Sequence, residues 1–214
     1  MGFLVEKEGG KPDDKDPNAV VALYQRAEKE FKDEFKQAII REMDELDYQI
    51  EDVGLKSPVS TRALSGAPWV GLYVKEKGLS GITDQHSMSQ GMFRALSILV
   101  QVNYSRMAKT ATCVLIDDIG EGLDFDRSCR LIDLLRKKAS ESNIQLILAT
   151  NDRFVMNRVP LEEWSVLQRQ GNHVRVRNYQ NSRDVFEEFK FTELSNFDFF
   201  ATDFLEEEVA KAAP

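Results

Sequence analysis

The stretch that most narrows what this chain can fold into is Thr112-Cys113-Val114-Leu115-Ile116-Asp117-Asp118, followed at once by Ile119-Gly120-Glu121-Gly122-Leu123-Asp124. A short β-branched and aliphatic run bounded by charge reads as a strand buried on both faces. Its last apolar residue delivers two adjacent carboxylates to the strand's C-terminal end, where open α/β sheets bind ligands. One carboxylate placed there can reach a magnesium ion through water while its neighbour orients an attacking water, an arrangement suited to phosphoryl transfer. A buried strand that stops at a solvated Asp-Asp turn accounts for these residues equally well when they are taken alone.

The neighbouring segments shift that balance. Phe125 to about Ser142 has the spacing of a helix with Leu131, Leu134 and Leu135 inward, and Ile144 to Thr150 is a second apolar run ending at Asn151-Asp152. Strand, helix and strand make a right-handed βαβ unit with parallel strands, which is expected to bring Asp117, Asp118 and Asn151 to the same sheet edge. Upstream, the polar loop from Asp84 gives way to a helix at Ser89, with Phe93, Leu96, Leu99 and Val100 at helical spacing. Ser89, Gln90 and Gly91 would present a hydroxyl and backbone N–H groups at a helix start, where the dipole favours an anion. An ordinary N-cap is the simpler explanation of Ser89.

Elsewhere the pattern is structural. Over 18–47 the apolar residues Val20, Tyr24, Ala27, Phe31, Phe35, Ala38, Ile39, Met43 and Leu46 recur every three or four positions, marking a long amphipathic helix. Tyr48–Val53 and Trp69–Lys75 read as strands flanking a loop. Trp164–Arg169 and His173–Tyr179 read as a hairpin turning at Gly171, with Arg169, Arg175 and Arg177 on one exposed face. The phenylalanine-rich stretch from Ser182 to Leu205 is expected to dock a last helix on the core. Residues 1–17 read as a polar, flexible tail and 206–214 as an acidic one.

Composition bounds the function. At 214 residues and 42% hydrophobic the chain can bury one ordinary core, as a domain or as a lobe of a larger one. A net charge of −8 argues against a broadly basic nucleic-acid surface. With no membrane-length apolar run and no signal-like start, a soluble, cytoplasmic chain without membrane contact is expected. Cys113 and Cys129 read as core thiols, and His86 and His173 are too few and too separate for a histidine metal site.

Ser87-Met88-Ser89-Gln90-Gly91-Met92-Phe93-Arg94 resembles the signature motif of ABC-type ATPases in the form used by the SMC, RecF and OLD-like branch of AAA family ATPases. Thr112–Asp118 looks like Walker B, Gly122-Leu123-Asp124 like the D-loop, and Ala149-Thr150-Asn151-Asp152 like the switch that usually carries histidine. The resemblance implies an α/β, P-loop NTPase-like fold with a parallel sheet core, a helical segment and a terminal hairpin: a partial head over 18–205, with its motif core at 84–160 and the hairpin and C-terminal helix at 161–205. It further implies that Asp117 holds Mg2+ through water and that Asp118 stands where a glutamate polarises water. Ser89, Gln90 and Gly91 would contact ATP bound to an opposing head, Asp124 would link the two sites, and Asn151 would take the switch position.

Three departures qualify this picture. Asp118 is one methylene shorter than glutamate and Asn151 cannot shuttle a proton, so hydrolysis is expected to be slow. No Gly-x-x-x-x-Gly-Lys-Ser/Thr loop occurs in the sequence, so ATP and Mg2+ are expected only in a head completed by a Walker A lobe from elsewhere. The implied partners are that lobe and a second head, with DNA reached through the assembly in repair or phage defence. The alternative is a non-catalytic interaction module that retains the fold. A magnesium nuclease built on Asp117, Asp118 and Glu121 ranks last, because no further acids converge there.

Overall fold

The fold is taken from a computed structural model, which describes residues 4–5, 19–57, 69–202 and 204. The chain forms two compact units, 1–149 and 150–214.

In the first unit the amphipathic spacing produces α1 (Val20–Glu45), whose buried residues include Val20, Tyr24, Ala27, Phe35, Ala38, Ile39 and Met43, with Phe31 half-buried. The helix is kinked, which its periodicity does not reveal: Lys32 has φ 52° and ψ −133°. Aromatic contacts secure the two segments on either side of the kink. Phe35 meets Tyr24 edge-on with ring centroids 5.6 Å apart, and Phe31 meets Tyr104 at 6.0 Å.

The alternating segments form β2 (Ile50–Lys56) and β3 (Trp69–Glu76), paired antiparallel with a register shift between Ile50 and Asp52. Two short strands, β1 (Leu4–Val5) and β4 (Thr83–Asp84), also pair antiparallel with β3. Ile50, Val53, Leu72 and Val74 are buried, and the Tyr24 hydroxyl donates to the Val53 carbonyl at 3.0 Å, tying α1 to β2. Of residues 1–17, expected to be a tail, only Leu4–Val5 are described, and they are a strand. The remaining tail positions, the 58–68 part of the loop and the acidic tail lie outside the described residues.

After α2 (Gln90–Met107) come β5 (Thr112–Ile116), α3 (Phe125–Ser140) and β6 (Ile144–Leu148). The strands β5 and β6 are parallel and in register from Thr112↔Ile144 to Ile116↔Leu148, as a βαβ unit requires. The expected parallel sheet core is therefore this pair, while the larger sheet is antiparallel.

The expectation that β5 is buried on both faces is corrected. Val114 and Ile116 are buried, but Cys113 is exposed and Leu115 is 73% exposed; Ile147 on β6 is 49% exposed. Successive side chains alternate between faces. The buried side includes Val114, Ile116 and Ile144, and α3 supplies Leu131, Ile132 and Leu135 to the core in place of the expected Leu134. For the same reason Cys113 is not a core thiol, and Cys129 is half-exposed.

One polar cluster sits inside this unit. Lys138 of α3 donates to Glu42 of α1 and, at 2.8 Å, to the Asn103 side-chain oxygen; the Asn103 amide of α2 donates to Glu42 at 2.6 Å. All three residues are buried.

The second unit comprises α4 (Arg153–Arg158), a 3-10 turn at Leu161–Glu163, the antiparallel hairpin β7 (Ser165–Gln170) and β8 (His173–Asn178), α5 (Arg183–Lys190) and α6 (Asp198–Ala201). Gly171 supplies the left-handed turn residue at φ 62°. Phe186, Phe189 and Phe199 pack with Leu161 and Val166 into this unit's own core. The single-face arginine patch is corrected: the pairing Val166↔Arg177, Gln168↔Arg175, Arg169↔Val174 sets Arg175 and Arg177 on one face and Arg169 on the other.

Candidate functional site

The start of α2 is positioned by the loop before it. Asp84 accepts from the backbone N–H groups of His86 at 3.2 Å and Ser87 at 3.1 Å. Gln85 clips that loop to β3 at two points: its N–H donates to the Leu72 carbonyl at 2.9 Å, and its side-chain oxygen accepts from the Leu72 N–H at 3.1 Å. Ser89 then caps the helix, its Oγ accepting from the Met92 N–H at 3.2 Å. Ser89 and Gln90 are exposed, whereas Gly91 is buried.

Gly91 is buried because another backbone lies on it. A Cβ at this position would stand 2.1 Å from the Gly122 carbonyl oxygen and 2.8 Å from its carbon. Gly122, at φ 76°, is in turn the left-handed residue of the turn after β5. Two glycines thus let the helix tip touch the turn. Gln90 adds a long hydrogen bond to Glu121 at 3.4 Å.

At the end of β5, Asp117 is exposed and Asp118 half-buried. Asp118 adopts φ 47°, a left-handed conformation that costs an ordinary L-residue about 1–2 kcal/mol, less for aspartate. Its carbonyl accepts from the Glu121 N–H at 3.0 Å, closing the turn. Arg94, one turn into α2, reaches across to it. One guanidinium nitrogen donates to the Asp117 carbonyl and, at 2.8 Å, to the Asp118 carbonyl; another meets the Glu121 carboxylate at 3.2 Å. Sequence reasoning gave Arg94 and Glu121 no positioning role. The available signal was Gln90 and Arg94, four apart on one helix face, opposite an acid in the turn.

Asp124 is the N-cap of α3 and accepts from the Arg127 N–H at 2.9 Å. That amide and the Arg127 guanidinium hold the Asp124 carboxyl below the usual carboxylate range. Arg127 also lies 4.4 Å over the Tyr48 ring and donates to the Asp47 carbonyl at 3.0 Å, so it fastens α3 to the corner after α1. Asn151 is exposed in the second unit, next to Asp152, which caps α4 through bonds from the Phe154 and Val155 N–H groups.

Among the described residues no group of three or more His, Cys, Asp or Glu could hold a metal ion by itself. A single exposed carboxylate such as Asp117 fits magnesium, which ordinarily keeps several waters and completes its shell with phosphates. Of the parts that the resemblance asks of a nucleotide site, the helix tip and the acids are present, whereas no glycine loop with its lysine occurs in the sequence. No helix among the described residues is long and apolar enough to cross a membrane.

No protein-family profile and no curated protein sequence matches the chain. Solved structures do. The head of Smc bound to the C-winged helix domain of ScpA aligns at 15% identity with a TM-score of 0.51, covering 75% of this chain and 48% of that one. An Smc head with coiled coil and joint, derived from Pyrococcus yayanosii, aligns at 18% identity with a TM-score of 0.50, covering 73% and 29%. This chain therefore spans less than half of either matched chain. At such identities the likeness is one of fold: the mixed α/β architecture is similar to that of these Smc heads.

Proposed function

We propose that this chain is the C-terminal lobe of an ABC-type ATPase head of the SMC/OLD-like kind, supplying signature helix, Walker B acids and D-loop to ATP sites that a Walker A lobe completes. The junction at the tip of β5 carries the reading. There the capped tip of α2, the acid doublet and the Gly120–Leu123 turn meet through the Gly91–Gly122 approach and the Arg94 fork, with Ser89, Gln90 and Asp117 left facing solvent.

In this reading Asp117 would hold Mg2+ through water, and the ion would supply charge neutralisation at the phosphates. Asp118 orients water, less effectively than a glutamate would. Ser89, Gln90 and Gly91 face the γ-phosphate held by an opposing head, and Asp124 links the two sites by anchoring the start of α3. The setting is a head dimer working on DNA in repair or phage defence in the cytoplasm, with DNA held by the assembly rather than by this acidic chain.

The exposed side of β5–β6 supports a missing lobe. Parallel strands are ordinarily covered on both faces, yet Leu115 and Ile147 lie open here. Leu115→Asp should change the stability of the chain by no more than about 0.5 kcal/mol, as expected for a surface site, while weakening co-purification with a Walker A lobe. Equal assembly by the variant would count against this face.

The decisive experiment adds a Walker A lobe, on the same or another polypeptide, and measures ATP turnover. Magnesium-dependent hydrolysis that drops about 100-fold or more in Asp117→Ala supports the proposal, a loss typical of removing one strong electrostatic stabiliser of the transition state. A completed head without turnover overturns it. The second reading, a non-catalytic module, draws on Ser89 and Asp124 both serving as helix caps; partner binding that calorimetry finds unaffected by ATP and by substitution of Ser89 or Asp118 would favour it.

A further inference from the structure

Arg94 touches the backbone of both members of the acid doublet. It leaves α2 five residues after the capping serine and spans 23 and 24 residues of sequence to the carbonyls of Asp117 and Asp118, while a second nitrogen holds Glu121. Its side chain is 25% exposed and that of Glu121 52%, so the arginine is the more buried partner. The planar fork suits this geometry: two nitrogens fixed relative to each other address three acceptors at once, which an ammonium on a flexible stem does not reproduce.

What the fork holds is conformationally demanding. Asp118 stands at φ 47°, a region that costs an aspartate less than most residues but still favours release when its partners are removed. Two donors converge on its carbonyl, the Glu121 N–H and Arg94. Released from the arginine, Asp118 can relax towards negative φ, which rotates its Cα–Cβ bond and redirects the carboxylate.

Resting on the reading of the acid doublet above, we infer that Arg94 is a positioning residue: it fixes the left-handed turn at Asp118 and thereby couples the tip of α2 to the direction of that carboxylate. In this role it acts through the carbonyls of Asp117 and Asp118 and the Glu121 carboxylate. Movement at Ser89 and Gln90 is transmitted through five residues of rigid helix to the acid at the end of β5.

The test uses two variants and two readouts. In the full chain without nucleotide, Arg94→Ala and Arg94→Lys should shift the backbone amide resonances of Asp118 to Glu121 and raise their hydrogen exchange about tenfold or more, with α1 and the hairpin unchanged. In the head completed by a Walker A lobe, both variants should lower kcat about tenfold while KM for ATP stays within about twofold, because the lost interaction orients the reacting group rather than binding substrate. Lysine should fail to rescue although it keeps the charge. Unperturbed amides in either variant, or full kcat in Arg94→Lys, overturns the inference. If Asp117→Ala leaves turnover intact while the amide shifts appear, the proposed activity falls and the clamp stands. If Asp117→Ala abolishes turnover and Arg94→Ala does not lower it, the clamp falls alone.

Discussion

Gly91→Ala is expected to destabilise the chain by about 2–3 kcal/mol in the absence of any nucleotide, the upper part of the range for forcing an extra methyl into a packed contact. The reason is the identity of the obstructing atom. A Cβ at Gly91 would meet the Gly122 carbonyl oxygen at 2.1 Å, and that oxygen belongs to a backbone turn rather than to the flexible end of a side chain. The turn cannot easily yield, since it contains left-handed residues at both Asp118 and Gly122. Relief must therefore come from the tip of α2 lifting away, which also lengthens the reach of Gln90 and Arg94 to Glu121 and the acid doublet.

This expectation separates two reasons for a glycine at position 91. If the residue served only to admit a phosphate from an opposing head, alanine would be silent until nucleotide and partner were present. Contact with Gly122 predicts a lower midpoint in urea for the chain alone, accompanied by loss of protection at Glu121 and Gly122. Gly81 provides the comparison: nothing lies within 4 Å of a Cβ there, and no positive φ is required, so Gly81→Ala should stay within about 0.5 kcal/mol of the parent. Equal midpoints for the two variants would remove the proposed contact.

Local features were legible in the sequence. The face of α1 was readable from Val20 to Leu46 because a 3.6-residue repeat records which side meets the core, and Ser89 and Gly171 were readable because caps and turns are satisfied within a few residues. The features that build the site are long-range. Gly91 meets Gly122 across 31 positions and Arg94 meets Asp118 across 24, and no local rule pairs them. Leu115 was misjudged because an aliphatic run states only that apolar surface exists; which face is covered depends on how many layers the chain supplies, and here α3 supplies one. The Lys32 kink has no glycine or proline to announce it. Lys138 was overlooked although its signal was present. It falls seven residues after Leu131 and three after Leu135, in the phase of the buried face of α3, and Glu42 falls in the corresponding phase of α1 after Phe35, Ala38 and Ile39.

That buried pair underlies the other large effect. Lys138→Met should cost about 3–5 kcal/mol, because it leaves the Glu42 carboxylate and the Asn103 side-chain oxygen enclosed without their shared donor. A loss of that size is about a fifth or more of the stability of an ordinary domain. Replacing all three polar residues, as Glu42→Leu, Asn103→Leu and Lys138→Met together, should recover most of it, since no charge then remains buried. Burial pushes the Lys138 ammonium below its ordinary range, and the pull of Glu42 does not fully restore it. The unfolded chain consequently holds this proton more tightly, and stability should climb with pH between the folded value and the ordinary 10.5, a rise that Lys138→Met should lack. Hydrogen exchange at α2 and α3 amides reads this unit without averaging over the second. A cost below about 1 kcal/mol for Lys138→Met, in the range of a surface ion pair, would mean that the amino group is hydrated and that α1, α2 and α3 are joined by their apolar faces alone.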